Sequence, residues 1–299
     1  MSDPVSDIRA LLAGARPTAG SFAERRERWT RTFQEFCPTP AGTAVETWHA
    51  DSVGGEWVCA ADADPRRDRV VLHFHGGGYT AGSAAAYRGL SARLSAACRC
   101  PVVSVDYRLA PEHPYPAALE DCVAAYRWLV RDIGVAPRRL ALAGDSAGGN
   151  FMVAGMTLLR DAGEALPAAA VGLSAQFDMS LSGDSVTSRA HRDPMISPES
   201  IRNCAAAYVG RADPRDPLVS PLFADLRGLP PLLLQVGSEE MLRDDNARLA
   251  EKARASGVDA AFEEWQGMMH VWHLFSDRLE DGRKALGRIG DFVARHAPP

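Results

Sequence analysis

From Val45 onward, short β-rich runs alternate with longer helical stretches, and no other feature of the chain constrains its fold as strongly. The pattern predicts strands at 45–50, 56–60, 70–74, 101–105, 139–143, 168–174, 232–236 and 260–265. Helices are expected near 85–98, 117–132, 147–161, 243–256 and 278–296. A strand that feeds a helix of that length returns to the sheet by a crossover and pairs in parallel. The rhythm therefore means βαβ units and an α/β architecture: a mostly parallel eight-stranded sheet with helices on both faces.

Two segments depart from this rhythm. Residues 1–44 read as helical, with an amphipathic stretch through Phe22, Trp29, Phe33 and Phe36 that stops before Pro38. Between Asp178 and Leu229 about fifty residues carry scattered Pro, Ser and Asp and one helical piece near 199–208, too long for a bare loop inside a compact domain. That excursion is expected to fold over the sheet together with the N-terminal helices. The organisation is then one α/β domain over 45–299, with cap helices at 1–44 and a cap insertion at about 179–229.

Composition excludes several classes. With 46% hydrophobic and 24% charged residues in 299, the chain is that of a soluble globular protein. No apolar run approaches the ~18 residues of a membrane span. Asp3, Asp7 and an apolar patch limited to Ala10–Ala13 do not make a secretory leader, so a cytoplasmic location without a membrane partner is expected. The balance of 33 basic against 38 acidic residues leaves no basic stripe for nucleic acid. Arg25, Arg26 and Arg28 interleave with Glu24 and Glu27, the pattern of a solvated helix face. Cysteines 37, 59, 98, 100, 122 and 204 suit small buried hydrophobes in a reducing compartment. Cys98 and Cys100 lack a second Cys/His pair at ligand spacing, so no metal is expected.

The chemistry-bearing motifs lie at predicted strand ends. Gly144-Asp145-Ser146-Ala147-Gly148 follows a strand and opens a helix, the setting in which a strained turn presents a serine Oγ. Its bland alternative is a glycine-rich turn with an incidental serine. His75-Gly76-Gly77-Gly78 follows the 70–74 strand, and consecutive glycines let backbone N–H groups converge on one point, as an oxyanion requires. A phosphate loop would want a Lys that is not there. The donors are expected to be Gly76, Gly77 and Ala147.

A serine nucleophile needs a base and the base an orienting acid, in the chain order Ser, acid, His. His270 follows the eighth strand, whereas His191 sits in the excursion, His273 three residues further on and His296 in the last residues. Four carboxylates compete for the acid after the 232–236 strand. Asp244 and Asp245 suit the first turn of the next helix. Glu239 and Glu240 lie nearer the strand end, and elementary physics does not separate them.

These residues together resemble the bacterial hormone-sensitive-lipase-like group of α/β-hydrolases, from about residue 65 to the C-terminus. The resemblance rests on His75 to Tyr79, Asp106 to Ala117, Gly144 to Gly149, Asp193-Pro194-Met195, Asp213 to Leu218 and Ser220 to Phe223. Glu240-Met241-Leu242-Arg243-Asp244-Asp245 is similar to the family's E-x-L-x-D-D, which points to Glu240 as the acid. Gly267-Met268-Met269-His270-Val271-Trp272 is similar to its G-M-x-H-V-[WF], with Met269 where Pro is common. Ser174-Ala175-Gln176-Phe177-Asp178 departs from the family's Ser-Pro-Trp-x-Asp in a segment expected to border the pocket.

The resemblance implies serine hydrolysis of short- to medium-chain acyl esters by Ser146, His270 and Glu240, with neither metal nor organic cofactor. An N-acetyl-hydrolase, a lactone hydrolase and a non-catalytic ligand-binding homologue are the alternatives, and a homodimer is left open. Tyr79, Trp29, Phe33 and Phe177 are candidates for the pocket wall, against the plainer reading that such aromatics fill the core.

Overall fold

The structure is a computed structural model and describes residues 3–14 and 21–298, so the parts of the expected N-terminal helices at 1–2 and 15–20 lie outside the described residues. Eight strands form one sheet in the order β1-β2-β4-β3-β5-β6-β7-β8. They are β1 (Ala44–Ala50), β2 (Val53–Cys59), β3 (Val70–Phe74), β4 (Val102–Asp106), β5 (Leu140–Asp145), β6 (Ala169–Leu173), β7 (Leu232–Gly237) and β8 (Ala260–Trp265). β2 runs antiparallel to both its neighbours, and β3 through β8 are parallel. The helices are α1 (Pro4–Gly14), α2 (Phe22–Phe36), α3 (Ala84–Cys98), α4 (Ala117–Arg131), α5 (Ala147–Asp161), the single turn α6 (Ser185–Ser188), α7 (Pro198–Val209), α8 (Arg243–Ala255) and α9 (Glu280–His296).

Alternation along the parallel strands explains the two cores. On β3, Val70, Leu72 and Phe74 join one apolar cluster, whereas Val71 joins the other, and Leu140 and Leu142 face opposite to Ala141 and Ala143 on β5. The first cluster is completed by Leu119, Cys122 and Leu129 of α4, Phe151 and Met152 of α5 and Leu249 of α8. The second takes Leu90 and Leu94 of α3 and Leu286, Ile289 and Val293 of α9. Ile8 and Leu12 of α1 and Phe33 and Phe36 of α2 belong to this second cluster. Side chains pointing alternately to two apolar layers make strands that read as nearly continuous hydrophobic runs.

The largest boundary difference from the sequence reading is β2, which begins at Val53 and not at residue 56. Gly54 and Gly55 look like a turn in sequence. Gly55 pairs with Val105, and a Cβ there would lie 1.9 Å from the Ser104 carbonyl oxygen. Glycine serves close backbone approach at this place.

The 179–229 excursion carries α6, α7 and a short 3-10 turn, Pro221–Phe223. Helix α7 lies against the loop after β3: the Tyr208 ring stacks on Tyr79 at 4.2 Å, and the Tyr115 N–H donates to the Tyr208 carbonyl at 2.8 Å. From the N-terminal side, Arg26 of α2 donates to the Thr80 carbonyl at 2.7 Å and the Ala110 carbonyl at 2.9 Å. No helix among the described residues is long and apolar enough to cross a membrane.

Candidate active site

Parallel strands present their C-terminal ends along one edge of the sheet, and the loops leaving β3, β5, β6, β7 and β8 there carry the expected reactive groups. Ser146 follows β5 directly and precedes the first residue of α5. Its backbone is held at φ 50° and ψ −117°, a conformation that costs a non-glycine residue of order 1–3 kcal/mol. Three backbone bonds hold it there: the Ser146 N–H donates to Leu173 at 3.0 Å, and the Ser146 carbonyl accepts from Gly149 and Gln176. The flanking glycines allow the tight crossing of strand and helix. A Cβ on Gly148 would lie 1.9 Å from the Phe74 carbonyl oxygen, and one on Gly144 would lie 2.5 Å from Gly148 backbone.

His270 reaches over from the loop after β8. Its Nε2 is 3.0 Å from Ser146 Oγ and its Nδ1 2.8 Å from Glu240 Oε2. Glu240 lies just beyond β7 and is fully buried. Its second oxygen accepts from Ser174 Oγ at 2.8 Å and from the Gly237 N–H. Burial acts to lower the imidazole pKa, but the hydrogen bond and charge of Glu240 outweigh it, and His270 is held above its ordinary 6.5. A carboxylate at Nδ1 keeps the proton on that nitrogen, which leaves Nε2 free to accept one from Ser146.

The acid and base loops are laced together. The Glu239 N–H donates to Met268 at 3.1 Å, Ser238 to Trp265 at 3.0 Å, and Gly267 to Ser238 Oγ at 2.9 Å. Two residues that the sequence reading did not single out for the site add to this frame. Ser174, at φ 50°, donates to Glu240 and accepts the Val271 N–H at 3.0 Å, so one hydroxyl links acid and base loops. Asp193, quoted above only for resemblance, accepts the N–H groups of Met241, Met195 and Ile196, which fastens the excursion beside Glu240. The signals available in the sequence were the place of Ser174 in a strand-end segment expected to border the pocket and that of Asp193 in the Asp193-Pro194-Met195 motif.

The competing residues fall elsewhere. Glu239 is half-buried, bonded to Ser238 Oγ at 3.0 Å and 3.7 Å from Arg192. Asp244 and Asp245 stand in the first turn of α8. His273 is sealed in the core with Nε2 on Gln235 at 2.9 Å, and burial pushes its pKa down to about 3. His191 is exposed.

The oxyanion loop requires a correction. The Gly76 N–H donates to Asp145 Oδ1 at 3.0 Å, so it is not free to meet an oxyanion. No acceptor among the described residues takes the N–H of Gly77, Gly78 or Ala147. Gly77 and Gly78 have φ of 112° and 59°, which glycine alone adopts without strain, and a Cβ on Gly77 would lie 2.1 Å from the Ala81 carbonyl oxygen. Ala147 N–H is the first donor of α5, whose dipole is positive at that end. Beneath the loop, Tyr107 Oη donates to the His75 carbonyl at 2.7 Å, and burial lowers the His75 imidazole to about 3.

The aromatic candidates are also corrected. Tyr79 is wedged between Tyr208 and Phe151, Phe177 is fully buried in the first cluster, and Phe33 is sandwiched between Trp29 and Tyr87 at 4.5 and 4.7 Å. These three rings are buried, with 4% exposure or less. Trp29 alone of the four is only partly buried. Among the described residues no group of three or more His, Cys, Asp or Glu side chains is placed to hold a metal ion, and the six cysteines are free thiols.

A family model described as alpha/beta hydrolase fold matches residues 71–274. The chain is 43% identical to an acetyl-hydrolase of Streptomyces hygroscopicus over 276 residues, 92% of this chain and 90% of that protein. It superposes on the crystal structure of an esterase from the bacterial hormone-sensitive lipase family with a TM-score of 0.95 at 41% identity, covering 99% of both chains. It superposes equally completely, covering 100% of both, on the esterase EstE5 from a crystal soaked with p-nitrophenyl butyrate, with a TM-score of 0.93 at 37% identity. Sheet order, strand-end loops and these full-length likenesses agree: the chain belongs to the bacterial hormone-sensitive-lipase-like family of α/β-hydrolases.

Proposed function

We propose that the protein is a serine carboxylesterase in which Ser146 is the nucleophile, His270 the base and Glu240 the orienting acid. The observation that carries this reading is the unbroken hydrogen-bond chain from Ser146 Oγ through both ring nitrogens of His270 to Glu240 Oε2. His270 takes the Oγ proton as Oγ attacks the ester carbonyl. The N–H groups of Gly77, Gly78 and Ala147 receive the developing oxyanion, a group of donors whose individual removal typically costs about 10²–10³ in kcat. His270 then protonates the leaving alcohol, activates water, and the acyl group leaves Ser146 as the carboxylic acid. The protein is a carboxylic ester hydrolase acting on a small-molecule acyl ester.

Short to medium acyl groups are the proposed substrates, supported by the likeness to an esterase soaked with p-nitrophenyl butyrate. Acetyl removal from an amide is the second reading, favoured by the 43% identical acetyl-hydrolase. The N-terminal helices and the 179–229 excursion are proposed as the cap of this site, supported by the contacts of α2 and α7 with the loop after β3. Trp29 is retained as a pocket residue, and a cytoplasmic location fits the free thiols. The test is a panel of p-nitrophenyl esters from acetate to laurate beside an N-acetyl amide, run on wild type and Ser146→Ala. Activity peaking at acetate to hexanoate and lost in the variant is expected; equal activity in the variant would refute the assignment.

A further inference from the structure

Asp145 stands between Gly144 and the candidate nucleophile, yet its carboxylate takes no part in the Ser–His–Glu chain. One oxygen, Oδ1, accepts two hydrogen bonds, from the Gly76 N–H and from His73 Nε2, both at 3.0 Å. The other, Oδ2, is buried without a partner among the described residues, on the side where a Cβ of Gly76 would come within 2.4 Å of it. The carboxylate is therefore fixed from below by one group, the His73 imidazole, and in turn fixes the first glycine of the oxyanion loop.

His73 is built for that purpose. It is fully buried on β3, on the face shared with Val71, and its Nδ1 is 3.2 Å from Ser91 Oγ on α3. A carboxylate oxygen only accepts, so the proton sits on Nε2, and Nδ1 receives the Ser91 hydroxyl. Both ring nitrogens are thus committed, and the ring cannot turn without losing one bond. Gly77 and Gly78 follow Gly76 by one and two residues, so a displacement of Gly76 is transmitted directly to the free donors. A shift of about 1 Å in such groups is enough to cost about 100-fold in rate.

We infer that His73 is a positioning residue for ester hydrolysis: through Asp145 it locks the oxyanion loop to the turn that carries Ser146. The inference deepens the esterase reading and rests on it. A core histidine that merely fills space would be replaced without kinetic consequence by a residue of similar volume. A positioning histidine must be replaced by a donor at the same point.

The experiment compares His73→Leu with His73→Gln, whose amide nitrogen can reach the place of Nε2. It measures kcat and KM on p-nitrophenyl butyrate, Ki for a trifluoromethyl ketone that forms a tetrahedral adduct, and Tm. In His73→Leu, kcat falls by about 10- to 100-fold with KM within about threefold, and Ki for the ketone rises in proportion, because oxyanion donors act on the tetrahedral species. His73→Gln restores most of both. A His73→Leu enzyme within twofold of wild type overturns the inference, as does a kcat loss with unchanged ketone Ki, or a glutamine variant no better than leucine. Should the leucine variant not fold, His73→Asn takes its place: its amide is too short to reach Asp145, and an asparagine variant equal to glutamine overturns the inference. Wild-type protein without esterase activity would overturn the underlying reading as well, whereas an active wild type with indifferent variants would overturn the inference alone.

Discussion

Replacing Glu240 by Gln exchanges one carboxylate oxygen for an amide NH₂ and tests the electrostatic centre of the site. In the native protein Oε1 accepts from Ser174 Oγ and the Gly237 N–H, and Oε2 faces His270 Nδ1 at 2.8 Å. A glutamine satisfies the first pair only with its carbonyl oxygen, which turns its NH₂ toward Nδ1. The imidazole then carries its proton on Nε2 and cannot accept one from Ser146, while the surrounding packing is unchanged. The corresponding aspartate-to-asparagine change in the serine-protease triad costs about 10⁴ in kcat for this tautomeric reason, and a loss of that order is expected here. The pH profile adds a second readout. Activity needs the neutral imidazole, so it rises with pH through the His270 pKa, which Glu240 holds above 6.5. Removing the carboxylate moves the residual activity's acid limb to lower pH. Glu239→Gln is the control, since that side chain bonds Ser238 and does not approach His270; it should stay within about threefold, the range of a surface change. Steady-state kcat/KM on p-nitrophenyl acetate between pH 5 and 9 decides. A Glu240→Gln enzyme within tenfold of wild type, or a Glu239→Gln enzyme equally impaired, refutes the assignment.

Ser146→Ala should abolish both ester hydrolysis and labelling by a fluorophosphonate probe with an unchanged circular dichroism spectrum; labelling of the variant would point to another nucleophile. Gly77→Ala should lower kcat by at least about 100-fold, because its Cβ would meet the Ala81 carbonyl at 2.1 Å and its φ of 112° is strained for alanine, and a near-normal rate would remove Gly77 from the oxyanion loop. Asp245 is fully buried, its Oδ2 holding the N–H groups of Phe177 and Asp178, and burial raises its carboxyl to about 7. The native protein binds this proton more tightly than the unfolded chain, so the stability it contributes is full below pH 3.8 and is lost as pH rises to about 7. Urea midpoints should therefore shift in favour of Asp245→Asn relative to wild type between pH 5 and 8, and a pH-independent difference would contradict the shifted carboxyl.

Much of this architecture was legible because it rests on local, periodic signals. Every expected strand exists within a few residues of its predicted bounds, since strands buried on both faces must be apolar over five or six positions and their connecting helices must be long enough to cross over. The turn that holds Ser146 was legible because so sharp a passage from strand to helix needs glycines on both sides, and the close approaches at Gly144 and Gly148 leave room for nothing else. The β2 boundary failed where the same residue serves a different need: Gly55 admits the β4 backbone, and the sequence cannot distinguish that from a turn. The aromatic candidates failed because a ring's chemistry does not reveal which side of a helix or loop meets solvent. Phe177, four residues past the end of β6, turns into the core, and its backbone N–H is held by Asp245, sixty-eight residues away.

The oxyanion loop shows where local reading stops. Gly76, Gly77 and Gly78 are chemically identical in sequence, and each carries one N–H. What separates them is an acceptor from another strand: Asp145 Oδ1, held by His73, consumes the first donor at 3.0 Å, and no acceptor among the described residues takes the next two. A buried N–H is ordinarily paired, so the unpaired ones mark where an incoming acceptor belongs. The apparent redundancy of three glycines thus resolves into a division of labour. Gly76 anchors, and its lack of a Cβ makes room for the very carboxylate that binds it. Gly77 and Gly78, at positive φ, keep N–H groups that no acceptor among the described residues takes. The residue between Gly144 and Ser146 ties the two motifs into one hydrogen-bonded unit, Asp145 accepting from Gly76 of one and backed by the buried His73, and the His73 variants measure whether that tie matters to chemistry neither residue touches.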